Sequence, residues 1–192
     1  MRALLGPGCV LSSLNGLRMT PGGKDQRLHI DQEETVPGPI LSINALHTLD
    51  DFTRESGGTR VVPESHHRVW TGDADAIEAA EVEAVYIEAP AGSLIAYAGG
   101  LWHAGSRNRT NRERRAVHAF FARKWMRPQW DFPRSLSPDV VAALTVEQRQ
   151  LFGFLGGPLR YDPGSDRIHQ GEFAPGRIAR LRSILRRFLL PT

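Results

Sequence analysis

Glycine and proline break the first two-thirds of this chain into short runs of β character, and that punctuation limits the fold more than any other feature. The runs are Val10 to Met19, Leu28 to Asp31, Ile40 to Leu49, Thr59 to Val62, Val82 to Glu88, Ser93 to Ala98 and Arg115 to Ala122. Short strands at this spacing, separated by turn signals, predict a mainly β sandwich or barrel. Glu55-Ser56-Gly57-Gly58 predicts a hairpin turn, with glycine supplying the positive φ such turns need. Asp73 to Ala80 is rich in alanine and acidic residues and predicts a short surface helix.

The last third changes character. Ser137-Pro138-Asp139 reads as a helix start, with a capping serine and proline at the first helical position. Thr145-Val146-Glu147-Gln148 matches a capping box. From Arg177 to Leu190, Ile178, Leu181, Leu185, Phe188 and Leu189 recur at helical spacing, opposite Arg180, Arg182, Arg186 and Arg187. The expectation is an amphipathic basic helix whose apolar stripe packs on the domain or on a partner, a homodimer included. The 192 residues suit one domain, with a β core over about residues 5–125 and a helical region over about residues 135–190.

Composition excludes several classes. With 41% hydrophobic and 23% charged residues, the chain belongs with globular proteins rather than disordered ones. A lone cysteine, Cys9, rules out an internal disulfide framework and fits a reducing cytoplasm, the expected location. A formal net charge of +3 gives no argument for nucleic acid. No stretch approaches the roughly 18 apolar residues of a membrane span. Gly6-Pro7-Gly8 interrupts the only weakly apolar start, so no signal peptide is expected.

His29 and Asp31 are separated by one residue, so on a strand they face the same side and can chelate together. A third ligand must come from another strand. His103 is the candidate, in Leu101-Trp102-His103-Ala104-Gly105, where the inward-facing run after Gly92 gives way to a loop. Two imidazoles and a carboxylate on one face of an octahedral ion are the arrangement of non-heme Fe(II) oxygenases. Alone, His-x-Asp is a weak signal; what strengthens it is company. Arg114 stands at the start of the next strand, where its planar fork can hold a carboxylate in bidentate fashion. Arg112 and Arg115 compete for that role on chemistry alone, although strand alternation separates Arg114 from Arg115.

With these residues on the page, the chain resembles the phytanoyl-CoA dioxygenase family. The resemblance rests on His29-Ile30-Asp31-Gln32, on Ala45 through Thr53, on Gly57 through His66, and on Trp102-His103-Ala104-Gly105-Ser106-Arg107-Asn108 with Arg114 at the family's spacing. It runs from about Leu5 to Tyr161 and includes Leu136 through Val141. It implies a double-stranded β-helix, the cupin-like jelly roll, with peripheral and C-terminal helices. It also implies Fe(II) held by His29, Asp31 and His103, and 2-oxoglutarate anchored by Arg114. O2 is the oxidant, succinate and CO2 are the co-products, and a small organic substrate is hydroxylated. Asp31 favours hydroxylation, because halogenating relatives lack a carboxylate there. Asn44 and Leu46 fall on the strand that commonly lines the co-substrate pocket, where many members carry tryptophan in place of Leu46. Asn108 is expected in a local structural role first and as a site contact second. His66 and His67 are expected to be structural.

The resemblance starts almost at Met1, whereas relatives usually have several tens of residues before the segment matching Leu5 to Val10. The expectation is that some co-substrate contacts are lacking, or come from the C-terminal helix or a partner chain. Two other readings compete. One is a cupin-type metal-binding protein without 2-oxoglutarate chemistry, which Arg114 argues against. The other is a non-catalytic jelly-roll binding module, which the joint presence of His29, Asp31, His103 and Arg114 argues against. The loop Gln32 to Pro39 and the tail are expected to form the substrate wall, and phytanoyl-CoA itself is a poor substrate candidate.

Overall fold

Alternation along the strands decides which side chains face the interior, and that interior is where the candidate site lies. The computed structural model describes residues 1–32, 38–155, 159–162, 164 and 167–170. A four-stranded antiparallel sheet has the order β1-β7-β2-β5, built from β1 (Val10–Met19), β2 (Ser42–Thr48), β5 (Leu94–Ala98) and β7 (Arg114–Ala122). A second sheet has the order β4-β3-β6, from β3 (Thr59–Val61), β4 (Val85–Tyr86) and β6 (His103–Gly105). A hairpin of β8 (Leu159–Asp162) and β9 (Arg167–Gln170) stands apart from both. That hairpin falls inside the stretch expected to be helical, and the expected helix at 177–190 lies outside the described residues.

On the large sheet Leu46 sits opposite His118 and Asn44 opposite Phe120. Tyr97 pairs with Asn44, and Met19 with Arg114. Residues at alternate positions of one strand share a face, so Arg114, Ala116, His118 and Phe120 line up along one side of β7. The other face carries Leu11, Ala45 and Ala119, which pack against Phe132, Leu136, Leu151 and Phe152. Those residues belong to or adjoin α3 (Phe132–Ser135), α4 (Pro138–Ala143) and α5 (Val146–Leu151). Burying each such large apolar side chain stabilises by about 2 kcal/mol, and this cover holds the large sheet in place behind the site.

The small sheet is backed in the same way. Here α2 (Ala74–Glu81) lays Ile77 and Ala80 against Leu28, Val62, Trp102 and Ala104, whereas α1 (Arg2–Leu5) sends Leu5 to the large sheet, against Cys9 and Ile43. Arg60 points outward from β3. Its guanidinium meets Glu81 of α2 at 2.8 and 2.9 Å and the Gln26 carbonyl at 2.6 Å. Among the described residues, no helix is long and apolar enough to cross a membrane.

Capping residues act where the sequence places them. Asp73, Ser137 and Thr145 each accept a hydrogen bond from a backbone N–H of the following helix, and Gln148 completes the capping box. Three strand expectations need correction. Leu28 to Asp31 is not a strand of its own but a single bridge, His29 opposite His103. The run Val82 to Glu88 shrinks to β4, because Val82 still belongs to the end of α2. No loop begins at His103; the residue opens β6, after a turn at 99–101 that separates it from β5. The glycine turn also differs from expectation. Gly57 adopts φ +81 as predicted, yet β2 and β3 on either side belong to different sheets, so the turn crosses between sheets instead of closing a hairpin.

Candidate metal centre and adjoining cavities

A pair of backbone hydrogen bonds brings the two histidines together. His29 N–H donates to the His103 carbonyl and His103 N–H to the His29 carbonyl, both at 3.0 Å. Directly paired residues of an antiparallel ladder project to the same side, and the imidazole centroids stand 4.4 Å apart. Asp31, two residues beyond His29, has its N–H donating to Gly99 at 2.9 Å. Its carboxylate oxygens lie 3.7 Å from His29 Nε2 and 3.2 Å from His103 Nε2. One ligand atom from each of the three side chains lies within 4.8 Å of the others.

The backbone also sets the tautomers. His29 Nδ1 is 2.9 Å from the Arg27 carbonyl and His103 Nδ1 is 2.8 Å from the Leu101 carbonyl. A carbonyl oxygen only accepts, so both Nδ1 atoms carry the hydrogen and both Nε2 atoms offer a lone pair. Burial acts to raise the Asp31 pKa. In metal-free protein, the hydrogen bond and charge of His103 and the charge of His29, both present only when those rings are protonated, outweigh it and hold the carboxyl below its usual value. Two neutral imidazole nitrogens and an ionised carboxylate form a donor set that could hold a divalent transition metal with its far side open. His103 is 5% exposed while the His29 side chain is 38% exposed, so the centre is walled on one side and accessible on the other.

A cavity of about 360 Å³ between the two sheets adjoins this centre, with Leu46, Thr59, Tyr97, Arg114 and His118 in its walls. Arg114 is buried; its Nη2 donates to the Gly57 carbonyl and its Cζ lies 4.0 Å from the Phe52 ring centroid. Among the described residues its Nε finds no partner. Burial lowers the guanidinium pKa and Asp50 opposes that, but arginine starts so high that the charge remains. A buried cation with an unused N–H is costly in isolation, and a carboxylate in the cavity would remove that cost. Gly57 is required here: an added Cβ would lie 2.6 Å from the Ser106 carbonyl.

Asn44 is fully buried. His118 Nε2 lies 2.6 Å from Asn44 Oδ1, while Asn44 Nδ2 completes no hydrogen bond and adds only a small favourable contribution at Asp31. Asn108 sits elsewhere. Its Nδ2 donates to the Met19 and Arg112 carbonyls at 3.0 and 2.7 Å, and its Oδ1 accepts from Thr110 N and Oγ1 at 3.0 and 2.7 Å. All its polar capacity goes into holding the loop between β6 and β7, and it does not line the cavity. Arg115, one residue from Arg114, faces outward and pairs with Asp50. His66 and His67 form a short 3₁₀ turn with ring centroids 3.9 Å apart, away from the metal centre.

Among the cavity residues that escaped the sequence reading are His118 and Tyr97. His118 shares its strand face with Arg114, four residues on, so alternation alone could have found it. Tyr97 lies 4.8 Å from the His103 ring, and burial, helped by the Asp31 charge, pushes its phenol far above the usual range. The hydroxyl therefore stays protonated.

Comparison with known proteins gives concordant results. The family model for phytanoyl-CoA dioxygenase matches residues 15–116. An uncharacterised protein of Mycobacterium tuberculosis is 34% identical over 135 residues, covering 70% of this chain and 48% of that protein. A dioxygenase of Aspergillus fumigatus is 30% identical over 154 residues, covering 78% and 49%. The chain thus spans about half the length of the curated relatives it matches. Among solved structures, EctD from S. alaskensis with bound iron superposes with TM-score 0.56 at 19% identity, covering 64% of this chain and 47% of that one. HygX from Streptomyces hygroscopicus, with nickel and 2-oxoglutarate bound, superposes with TM-score 0.56 at 17% identity, covering 66% and 61%. At these identities the structural likeness speaks for the fold.

Proposed function

Because the chain belongs to the phytanoyl-CoA dioxygenase family, we propose that it is a non-heme dioxygenase using Fe(II), 2-oxoglutarate and O2 to hydroxylate an organic substrate, with succinate and CO2 as co-products. The two facing sheets are, on this reading, the halves of a double-stranded β-helix. The observation that carries the proposal is the pairing of an open two-histidine, one-carboxylate set with a buried arginine whose Nε is unpartnered.

His29, Asp31 and His103 would hold Fe(II), offering Nε2, a carboxylate oxygen and Nε2. The Arg27 and Leu101 carbonyls keep both rings in the tautomer that leaves Nε2 free. Arg114 binds the distal carboxylate of 2-oxoglutarate, with Phe52 beneath the guanidinium and Gly57 fixing its other edge. Tyr97 and Leu46 close the wall and exclude water, and Tyr97 keeps its proton throughout. Iron bound there supplies the redox chemistry that couples decarboxylation of the co-substrate to oxidation of a C–H bond. A metal site without 2-oxoglutarate would leave the Arg114 charge buried for no purpose, which weighs against the cupin-type alternative.

Anaerobic titration with Fe(II), with and without 2-oxoglutarate, tests this. A visible charge-transfer band that needs both components and disappears in Asp31→Ala and His103→Ala is expected, with the far-ultraviolet spectrum of both variants unchanged. Absence of the band in folded wild-type protein overturns the proposal.

A further inference from the structure

Asp31 lines two cavities. On one side is the 360 Å³ space with Arg114; on the other is a second space of about 920 Å³. The two differ in chemistry. The larger is walled by Phe120, Trp125, Arg127, Trp130 and Phe152. Its size is that of a site for a drug-sized molecule, well beyond what a compact amino acid fills.

This wall is built rather than draped. Gln129 N–H donates to Ser12 Oγ at 3.0 Å and Trp130 N–H to the Ser12 carbonyl at 2.9 Å, which anchors the segment across β1. Trp130, Phe132 and Phe152 follow in a row of rings at 5.9 and 5.1 Å. Trp125 and Trp130 nevertheless stay 67% and 47% exposed. That much exposed aromatic surface in a cavity wall suits an apolar ligand. Charge adds direction. Asp131 caps α3 and faces Arg134 at 3.4 Å, whereas among the described residues no carboxylate pairs with Arg127.

We propose that this cavity is the substrate chamber, and that it takes a large, flat or extended apolar molecule bearing one acidic group. Trp125 and Trp130 cover the apolar body, Arg127 meets the acid, and a C–H bond of the body lies toward Asp31 and its metal. The proposal rests on the dioxygenase reading and narrows it, because it excludes small zwitterionic substrates.

The probe is 1-anilinonaphthalene-8-sulfonate, compared with the uncharged N-phenyl-1-naphthylamine, and Mn(II) with 2-oxoglutarate serves as the redox-inert filling of the triad. Trp125→Ala and Trp130→Ala are expected to weaken both probes, each by about tenfold. Arg127→Gln is expected to weaken only the sulfonate, by about threefold to fivefold, as befits an exposed charge. Mn(II) in the triad is expected to broaden the proton resonances of the bound sulfonate probe, and Asp31→Ala to abolish that broadening. Equal affinity of all three variants for the sulfonate overturns the proposal. So does failure of the probe to bind while Mn(II) does, which would mean that another segment of this chain or a second copy fills the cavity. If Mn(II) itself fails to bind, the dioxygenase reading falls, while the variant affinities still decide whether this chamber exists.

Discussion

At Arg114 a structural cost and a proposed role meet in one side chain. It is buried, lies over Phe52 and is tied to Gly57, with its buried Nε–H unpartnered among the described residues. Because a bidentate, charge-assisted contact is stronger than a neutral one, Arg114→Ala is expected to raise the KM for 2-oxoglutarate by about one to two orders of magnitude. Fe(II) affinity should stay close to that of wild type. Succinate formation measured against co-substrate concentration checks this, and an unchanged KM would point to a different anchor. The sequence made this arginine legible through alternation, since Arg115 one step away has to face outward. It did not reveal that Asn108 spends every polar atom on its own loop. Asparagine looks the same in sequence whether it serves a ligand or a turn.

At the scale of elements, the join between β2 and β7 depends on Asp50. Its carboxylate accepts from Arg115 N, Nε and Nη2 at 2.8 to 3.0 Å. The Arg115 hydrogen bonds hold the carboxyl down at about 2. A depressed pKa means that the contribution to stability is complete above the ordinary value of 3.8 and is lost as pH falls through about 2. The urea midpoint of wild type minus that of Asp50→Asn should therefore shrink steadily across this window in metal-free protein. A pH-independent difference would assign the effect to packing. Elements with their own local code were readable in advance: the capping serine and threonine, the positive φ of Gly57 though not the hairpin expected around it, the long strands. The short ones were not. A strand of three residues such as β6 has no periodicity to detect, and what defines it is pairing with β3 and with His29. That pairing is long-range information that no local window contains.

The whole molecule joins two sheets, each backed by its own helices, around a centre assembled from residues 74 positions apart in the chain (His29 to His103). A ligand that binds only the assembled form stabilises all of it by mass action. Saturating Mn(II) with 2-oxoglutarate should raise the melting temperature by about 5–10 °C, and the rise should vanish in His103→Ala. Melting that is indifferent to metal would mean that the three ligands do not act as one site. The large aromatic cavity was the least legible part of the molecule. Trp125 and Trp130 sit in a proline-flanked stretch without periodicity, and only the anchoring to Ser12 turns that stretch into a wall.

The alternation of β7 has a consequence for heredity. Arg114 marks one end of the strand's inner face and Phe120 the other, about 20 Å apart at the usual rise of an extended chain. Substitution at any one position changes one contact. Insertion or deletion of a single residue between them would reverse the facing of the residues on one side of the change relative to the other, unless a bulge absorbs it as between Leu11 and Ser13 of β1. The cavity-facing chemistry of β7 is thus written in a reading frame of two. A changed letter in β7 alters one contact, whereas an uncompensated change in the count from Arg114 to Phe120 puts those two residues on opposite faces of the strand.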